Sequence, residues 1–267
     1  MIRLACSLTT AISLFCADAL AGPVFDLAIR VQNGGSALVP NARLCGLRPL
    51  TLNGKAYDWQ VVHGLSAALP GSPYCLSVDE VGPYQARHLG LQWVPLGEAK
   101  AESSSLAVPY ELGKEPSAEL LDLARSFERH PADARIKPIY DWMLSNIAFS
   151  GIRRGIDGAE HALKARQGDC TEHMLLAAEL LQRNGVTVRR ALGVLLDKDQ
   201  ARISAATLHN WIEYLDNGQW LVFDSSRKVL GAVEDQHYIA LLFYESSRQL
   251  SVEPLVIDSP RLKLYLH

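Results

Sequence analysis

The segment Gly168-Asp169-Cys170-Thr171-Glu172-His173-Met174-Leu175-Leu176-Ala177-Ala178-Glu179-Leu180-Leu181-Gln182-Arg183-Asn184-Gly185 decides how the rest of the chain is read. Met174, Leu175, Ala178, Leu180 and Leu181 recur at helical spacing, which predicts an amphipathic helix over Cys170–Asn184. Gly185 stands where a left-handed C-cap is wanted, so the helix has a stop as well as a start. Cys170 then occupies the first turn. Unpaired backbone N–H groups and the positive end of the helix dipole favour an anion there. A thiol in that place ionises readily and becomes a competent nucleophile at neutral pH, and its own N–H can face a developing oxyanion. The bland alternative is a buried structural cysteine.

Working outward, the text after the helix switches to strands: Thr187–Leu196, Leu208–Leu215 and Gln219–Phe223. Asp216-Asn217-Gly218 between the last two is a strong hairpin signal. His237–Phe243 reads as a further strand or a helix. Before Gln167-Gly168, helical patterns run from Ser117 to the stop at Pro131, from Ala132 to Asn146, and over Ala159–Arg166. Pro138 lies inside the second, which predicts a kink or a later start. Helices followed by antiparallel strands make an α+β arrangement.

Two residues on the predicted strands complete a chemical set. His209 lies in Leu208-His209-Asn210-Trp211-Ile212-Glu213, where an imidazole can face the helix N-terminus and pair with a thiolate. Asp224 closes Trp220-Leu221-Val222-Phe223, which the hairpin lays antiparallel to the histidine strand. A carboxylate there can bond the far ring nitrogen and fix the tautomer. Taken singly, a strand histidine is usually a satisfied side chain, and a strand-ending aspartate a turn residue.

The motifs together resemble a known family. Gly168-Asp169-Cys170-Thr171-Glu172-His173 with Leu175–Leu181 and Asn184-Gly185-Val186-Thr187-Val188-Arg189 resembles the nucleophile helix of the transglutaminase-like superfamily. Leu208–Glu213 looks like its histidine strand and Trp220–Ser226 like its aspartate strand, in the family's order of Cys, His, Asp. The resemblance covers residues 117–245. It implies a papain-like core, a cysteine helix packed on an antiparallel sheet, with Cys170, His209 and Asp224 as catalytic triad. It implies nothing for residues 22–115. Asn210 stands where a small residue often follows the histidine, and Met174 where alanine is usual. A second oxyanion donor is not fixed by the motifs; Gln167 is near in sequence. Trp142, Trp211 and Trp220 fall on apolar faces, and Trp211 is expected to point away from His209.

The front of the chain has another character. Arg3, the apolar run from Leu4 to Phe15, and Ala19 and Ala21 before Gly22-Pro23 read as an export signal over residues 1–21. Removing it takes away Cys6 and Cys16 and leaves Cys45, Cys75 and Cys170. In an oxidising compartment two of the three are expected to pair. A Cys45–Cys75 bridge closes a loop of about 30 residues, worth roughly 3–4 kcal/mol, and leaves Cys170 free. Phe25–Val31, Ala56–Val62, Tyr84–Val94 and Leu106–Leu112 are separated by turn residues at Asn33-Gly34-Gly35, Asn53-Gly54 and Pro70-Gly71. Residues 22–115 thus read as a β-rich N-terminal domain and 116–267 as the transglutaminase-like one.

Composition narrows the function. The 267 residues have a hydrophobic fraction of 48%, a charged fraction of 21% and a net charge of −3, with no dense basic stripe, so nucleic acid is excluded as a partner. The signal run is too short to span a membrane comfortably. Acyl transfer at an amide bond of a protein or peptide is the leading reading, with water favoured over an amine as acceptor and no cofactor required. An exported periplasmic or secreted location follows from the signal. A metal site built from Asp169, Cys170, His173 and His209 lacks a second close pair of ligands. A catalytically inert scaffold and an amine-transferring cross-linker are the remaining readings.

Overall fold

The computed structural model describes residues 22–47, 49, 56–68, 74–96, 112, 115–153, 155–245, 249–250 and 252–267. The expected export signal, residues 106–111 of the expected strand, and the turns at Asn53-Gly54 and Pro70-Gly71 lie outside the described residues.

Strands come first: β1 (Phe25–Asn33), β2 (Arg43–Gly46), β3 (Ala56–His63), β4 (Leu65–Ala68), β5 (Cys75–Val78) and β6 (Ala86–Leu96). Helices follow: α1 (Ala118–Ser126), α2 (Ile136–Asn146), the short β7 (Ala148–Phe149), α3 (Ala159–Ala165), the short β8 (Gln167–Gly168) and α4 (Cys170–Arg183). The rest is strand: β9 (Val188–Asp197), β10 (Arg202–Ile203), β11 (Leu208–Asp216), β12 (Gln219–Asp224), β13 (Val229–Gly231), β14 (Gln236–Phe243), β15 (Leu255–Ile257) and β16 (Leu262–Leu266). The α+β reading with a β-rich front holds, and His237–Phe243 is a strand.

Local chemistry explains the helix ends. The Ser117 hydroxyl accepts from Leu120 N at 3.1 Å and caps α1, an interaction worth about 1 kcal/mol. The second helix begins at Ile136, later than the expected Ala132. Pro138 then falls in the first turn, where a missing N–H costs nothing, and Ala132–Ala134 forms a separate 3-10 turn. At the end of α4, Asn184 is the C-cap and Gly185 takes φ +79°, the left-handed conformation glycine adopts without strain. Asn184 Nδ2 donates to the Leu180 carbonyl at 2.9 Å and to that of Ala124 at 3.1 Å, tying α4 to α1.

α4 is the centre of its layer. Every residue from Glu172 to Leu181 is buried, more than one apolar stripe would require. Leu120, Ile139, Met143 and Leu163 of α1–α3 cover one side of it, and Val188, Leu192, Ile212, Tyr214 and Phe223 of the sheet cover the other. That sheet has the order β13-β12-β11-β9-β14. Asn217 and Gly218, both at positive φ, close the β11–β12 hairpin as the Asn-Gly signal predicts.

The N-terminal sheets are completed by the end of the chain. β1 pairs with β6 along one edge; its other edge takes β10 in parallel at Asp26↔Arg202 and β16 antiparallel from Ile29↔Leu266 to Asn33↔Leu262. β15 adds to β2, which pairs with β5 and then β4. Phe25, Leu27, Ile29 and Val31 alternate inward along β1 and share a core with Val194, Leu196, Ile239 and Leu241 of the large sheet. Cys45 and Cys75 face one another across β2 and β5 and form the expected disulfide; Cys170 is the free cysteine among the described residues.

Candidate active site

Cys170 is placed by the turn that precedes it. β8 pairs with β7, and Gly168 packs so tightly that a Cβ there would lie 2.4 Å from Glu172 Cβ. Asp169 caps α4 by accepting from Thr171 N at 2.8 Å, while Glu172 Oε2 accepts from Asp169 N at 3.3 Å, a reciprocal capping box. The same carboxyl groups hold the preceding loop: Asp169 Oδ2 accepts from Arg153 N at 3.1 Å, and Glu172 Oε1 from Asp157 N at 3.0 Å. Burial and the neighbouring Asp169 push the Glu172 carboxyl up. Burial would also raise Asp169, but Glu172 and the backbone N–H groups of Arg153, Thr171 and Glu172 outweigh it and hold Asp169 low. Cys170 emerges half-buried at the first position of α4, at the positive end of the helix.

The hairpin delivers the other two residues. β11 and β12 pair at Ile212↔Phe223, which makes His209 and Asp224 diagonal neighbours on one face. His209 Nε2 lies 2.6 Å from Asp224 Oδ2, and both side chains are buried. With Nε2 engaged, Nδ1 is the ring nitrogen left for the sulfur. Burial alone would lower the His209 pKa, but hydrogen bonds to Asp224 and Cys170, with the charge of each, raise it to about 9. Asp224 moves the other way: burial would raise it, yet bonds and charge from His209 and bonds from Ser226 and Tyr238 hold it low. The structure therefore brings Cys170, His209 and Asp224 together. Gln167 is exposed on β8, and among the described contacts none joins its side chain to Cys170.

Trp211 corrects the sequence reading. Residues two apart on a strand share a face, and the Trp211 ring stacks beside His209 with centroids 6.2 Å apart and planes 16° from parallel. Trp211 Nε1 donates to Glu213 Oε1 at 3.2 Å, and Glu213 is paired with Arg189, both buried. Gly193, opposite His209 in the ladder, makes room for this stack: a Cβ there would lie 2.4 Å from the Trp211 ring and 2.1 Å from the Ile239 carbonyl.

Several neighbours were missed in the sequence. The Asp-x-x-Glu spacing of Asp169 and Glu172 is a capping signal that could have marked their roles. Ser226 Oγ and Arg227 N donate to Asp224 Oδ1 at 2.7 and 3.1 Å, a side-chain turn that Asp-Ser-Ser could have signalled. Tyr238 and Tyr244, on and just after β14, carry no local signal. Tyr238 Oη donates to Asp224 Oδ2 at 3.0 Å, and Tyr244 Oη donates to Asn210 Oδ1 at 2.9 Å. Of the potential metal ligands, His173 Nδ1 lies 2.8 Å from Ser225 Oγ while its Nε2 is buried without a hydrogen-bond partner among the described residues, and Asp169 caps α4. Burial, the largest influence on His173, holds its imidazole below the ordinary pKa.

A helix-borne thiol facing a histidine and an aspartate on an antiparallel sheet is the arrangement of the papain-like thiol-enzyme fold. Residues 122–225 match the family model of the transglutaminase-like superfamily. Solved structures similar to the chain include a candidate cysteine protease from Cytophaga hutchinsonii, at 11% identity and TM-score 0.48, covering 92% of this chain and 91% of that one. The periplasmic domain of TgpA from Pseudomonas aeruginosa is similar at 17% identity and TM-score 0.38, covering 76% of this chain and 90% of that one. A TGase is similar at 9% identity and TM-score 0.33, covering 57% and 44% respectively. Among curated proteins none matches the chain.

Proposed function

We propose that the protein is an exported thiol enzyme that transfers an acyl group from an amide bond of a protein or peptide. The observation that carries the reading is His209, buried and fixed by Asp224 at 2.6 Å with its other ring nitrogen left for Cys170. In this reading the three residues act as a triad. Cys170 sulfur attacks the amide carbon, the carbonyl π electrons move to oxygen, and the Cys170 backbone N–H at the helix start supports that oxyanion. The C–N bond then breaks as the His209 imidazolium gives its proton to the leaving amine, which leaves a thioester. Water, deprotonated by His209, attacks the thioester; collapse releases the acid and returns the proton and thiolate. Hydrolysis is favoured because water is the abundant acceptor.

An oxidising compartment fits the Cys45–Cys75 disulfide. No helix among the described residues is long and apolar enough to cross a membrane.

The test uses a peptide amide substrate with and without an excess of a lysine-like primary amine, with products resolved by mass. Free acid as the main product supports the hydrolase. Amine incorporation outrunning hydrolysis makes the protein a transferase. Loss of both products in Cys170→Ala ties either one to the thiol, and an unchanged rate in that variant ends the proposal.

A further inference from the structure

Asn210 is one of the two residues that depart from the family pattern, and its surroundings give it a task. Its Nδ2 donates to Thr171 Oγ1 at 3.0 Å and reaches Cys170 Sγ at 4.0 Å. Its Oδ1 accepts from Tyr244 Oη at 2.9 Å. The two ends of a carboxamide are nearly the same size, so hydrogen-bond partners decide which end faces the sulfur. Tyr244 makes that choice. It is buried, and burial together with the nearby Cys170 keeps its hydroxyl protonated well above the ordinary tyrosine range. Asn210 is its hydrogen-bond partner among the described residues. Turned the other way, the amide would lose this acceptor for the Tyr244 proton and would set a carbonyl oxygen against the sulfur. As found, one N–H of Asn210 is anchored on Thr171 and the other is directed at Cys170. A hydrogen bond to an ionised acceptor is shorter and stronger than a neutral one, so this contact gains most when the sulfur is an anion.

We propose that Asn210 is the side-chain donor that stabilises negative charge at Cys170 Sγ, with Tyr244 the positioning residue that keeps the amide turned toward the sulfur. The proposal rests on the acyl-transfer reading above.

The experiment measures the rate at which iodoacetamide alkylates Cys170 at about pH 6 and about pH 9 in the wild type, Asn210→Asp and Tyr244→Phe, with the labelled residue located by mass spectrometry. Asn210→Asp keeps the shape and the acceptor for Tyr244 but removes the donor. Its labelling is expected to fall about tenfold or more near pH 6 and to stay within about twofold of wild type near pH 9, the size expected of a bond to a charged group. Tyr244→Phe is expected to lose about threefold near pH 6. Circular dichroism establishes folding; if Asn210→Asp does not fold, Tyr244→Phe, which removes one oxygen atom, carries the test. A wild type that labels near pH 6 no faster than a small free thiol sinks the acyl-transfer reading itself. A reactive wild type whose folded variants keep its rate near pH 6, or lose rate equally at both pH values, overturns the role of Asn210 and leaves the acyl-transfer reading standing.

Discussion

Asp224 Oδ2 accepts two hydrogen bonds at once, from His209 Nε2 at 2.6 Å and from Tyr238 Oη at 3.0 Å. Ser226 Oγ and Arg227 N occupy Oδ1, so both oxygens of a buried carboxylate are satisfied and its orientation is fixed. Asp224→Asn is expected to lower kcat/KM on a peptide amide by about 10²-fold or more, because an amide at that place favours the wrong imidazole tautomer. Tyr238→Phe removes one neutral donor and is expected to cost about fivefold. Without the carboxylate, burial dominates His209 and its pKa falls from about 9, so the alkaline limb of activity moves toward acid in Asp224→Asn. An unmoved limb would show that His209 does not set it.

Stability should carry the same signature. The His209 pKa is raised in the folded protein to about 9 from an ordinary 6.5. Its contribution is therefore complete below about pH 6.5 and is lost as pH rises through about 9, on the order of 3 kcal/mol in all. Asp224, held low, contributes above the ordinary carboxylate range and loses its share as pH falls through its depressed value. Thermal unfolding between pH 6.5 and 9 is expected to show a decline that flattens in His209→Gln. Parallel curves for the two proteins would remove the His209 contribution.

The disulfide and the thiol should separate cleanly. Cys45 and Cys75 are 30 residues apart, and their closure stabilises by roughly 3–4 kcal/mol in the chain-entropy model. The double variant Cys45→Ser, Cys75→Ser is expected to melt lower while keeping the wild-type alkylation rate of Cys170 below its melting point. A changed Cys170 rate in the folded variant would mean that β2 and β5 shape the site.

Glu213 offers a test at one remove. It accepts from Trp211 Nε1 at 3.2 Å and from Arg189 Nε at 2.7 Å, and Arg189 also lies over the rings of Trp220 and Phe243. Glu213→Ala removes the carboxylate from a buried guanidinium and is expected to cost about 3–5 kcal/mol by denaturant unfolding. Under 1 kcal/mol would show that the remaining contacts of Arg189 suffice without the carboxylate.

The helix over Cys170–Arg183 and the hairpin at Asn217-Gly218 were legible because their signals are local: a period, a cap and a turn. The order of Cys170, His209 and Asp224 was legible for the same reason, each sitting at the marked end of an element. Tyr238 and Tyr244 were not. Six residues apart on a regular strand, they would share a face. A bulge between Ala240 and Leu242 reverses the alternation. Tyr238 thus joins Trp211 on one side, and Tyr244 joins the helices on the other. Sequence periodicity carries no mark of that extra residue. Nor could it show that β10, β15 and β16 complete the N-terminal sheets, since pairing across such separations leaves no local pattern.

That closure has a consequence for how the chain comes to be folded. β1 opens the described chain, yet one of its edges stays bare until residues 202–203 and 262–266 arrive. A sheet whose edge strands lie so far along the chain is completed late, because pairing across such separations closes long loops. Until residues 262–266 cover it, that edge is a row of unpaired N–H and C=O groups, a template on which strands of other chains can pair.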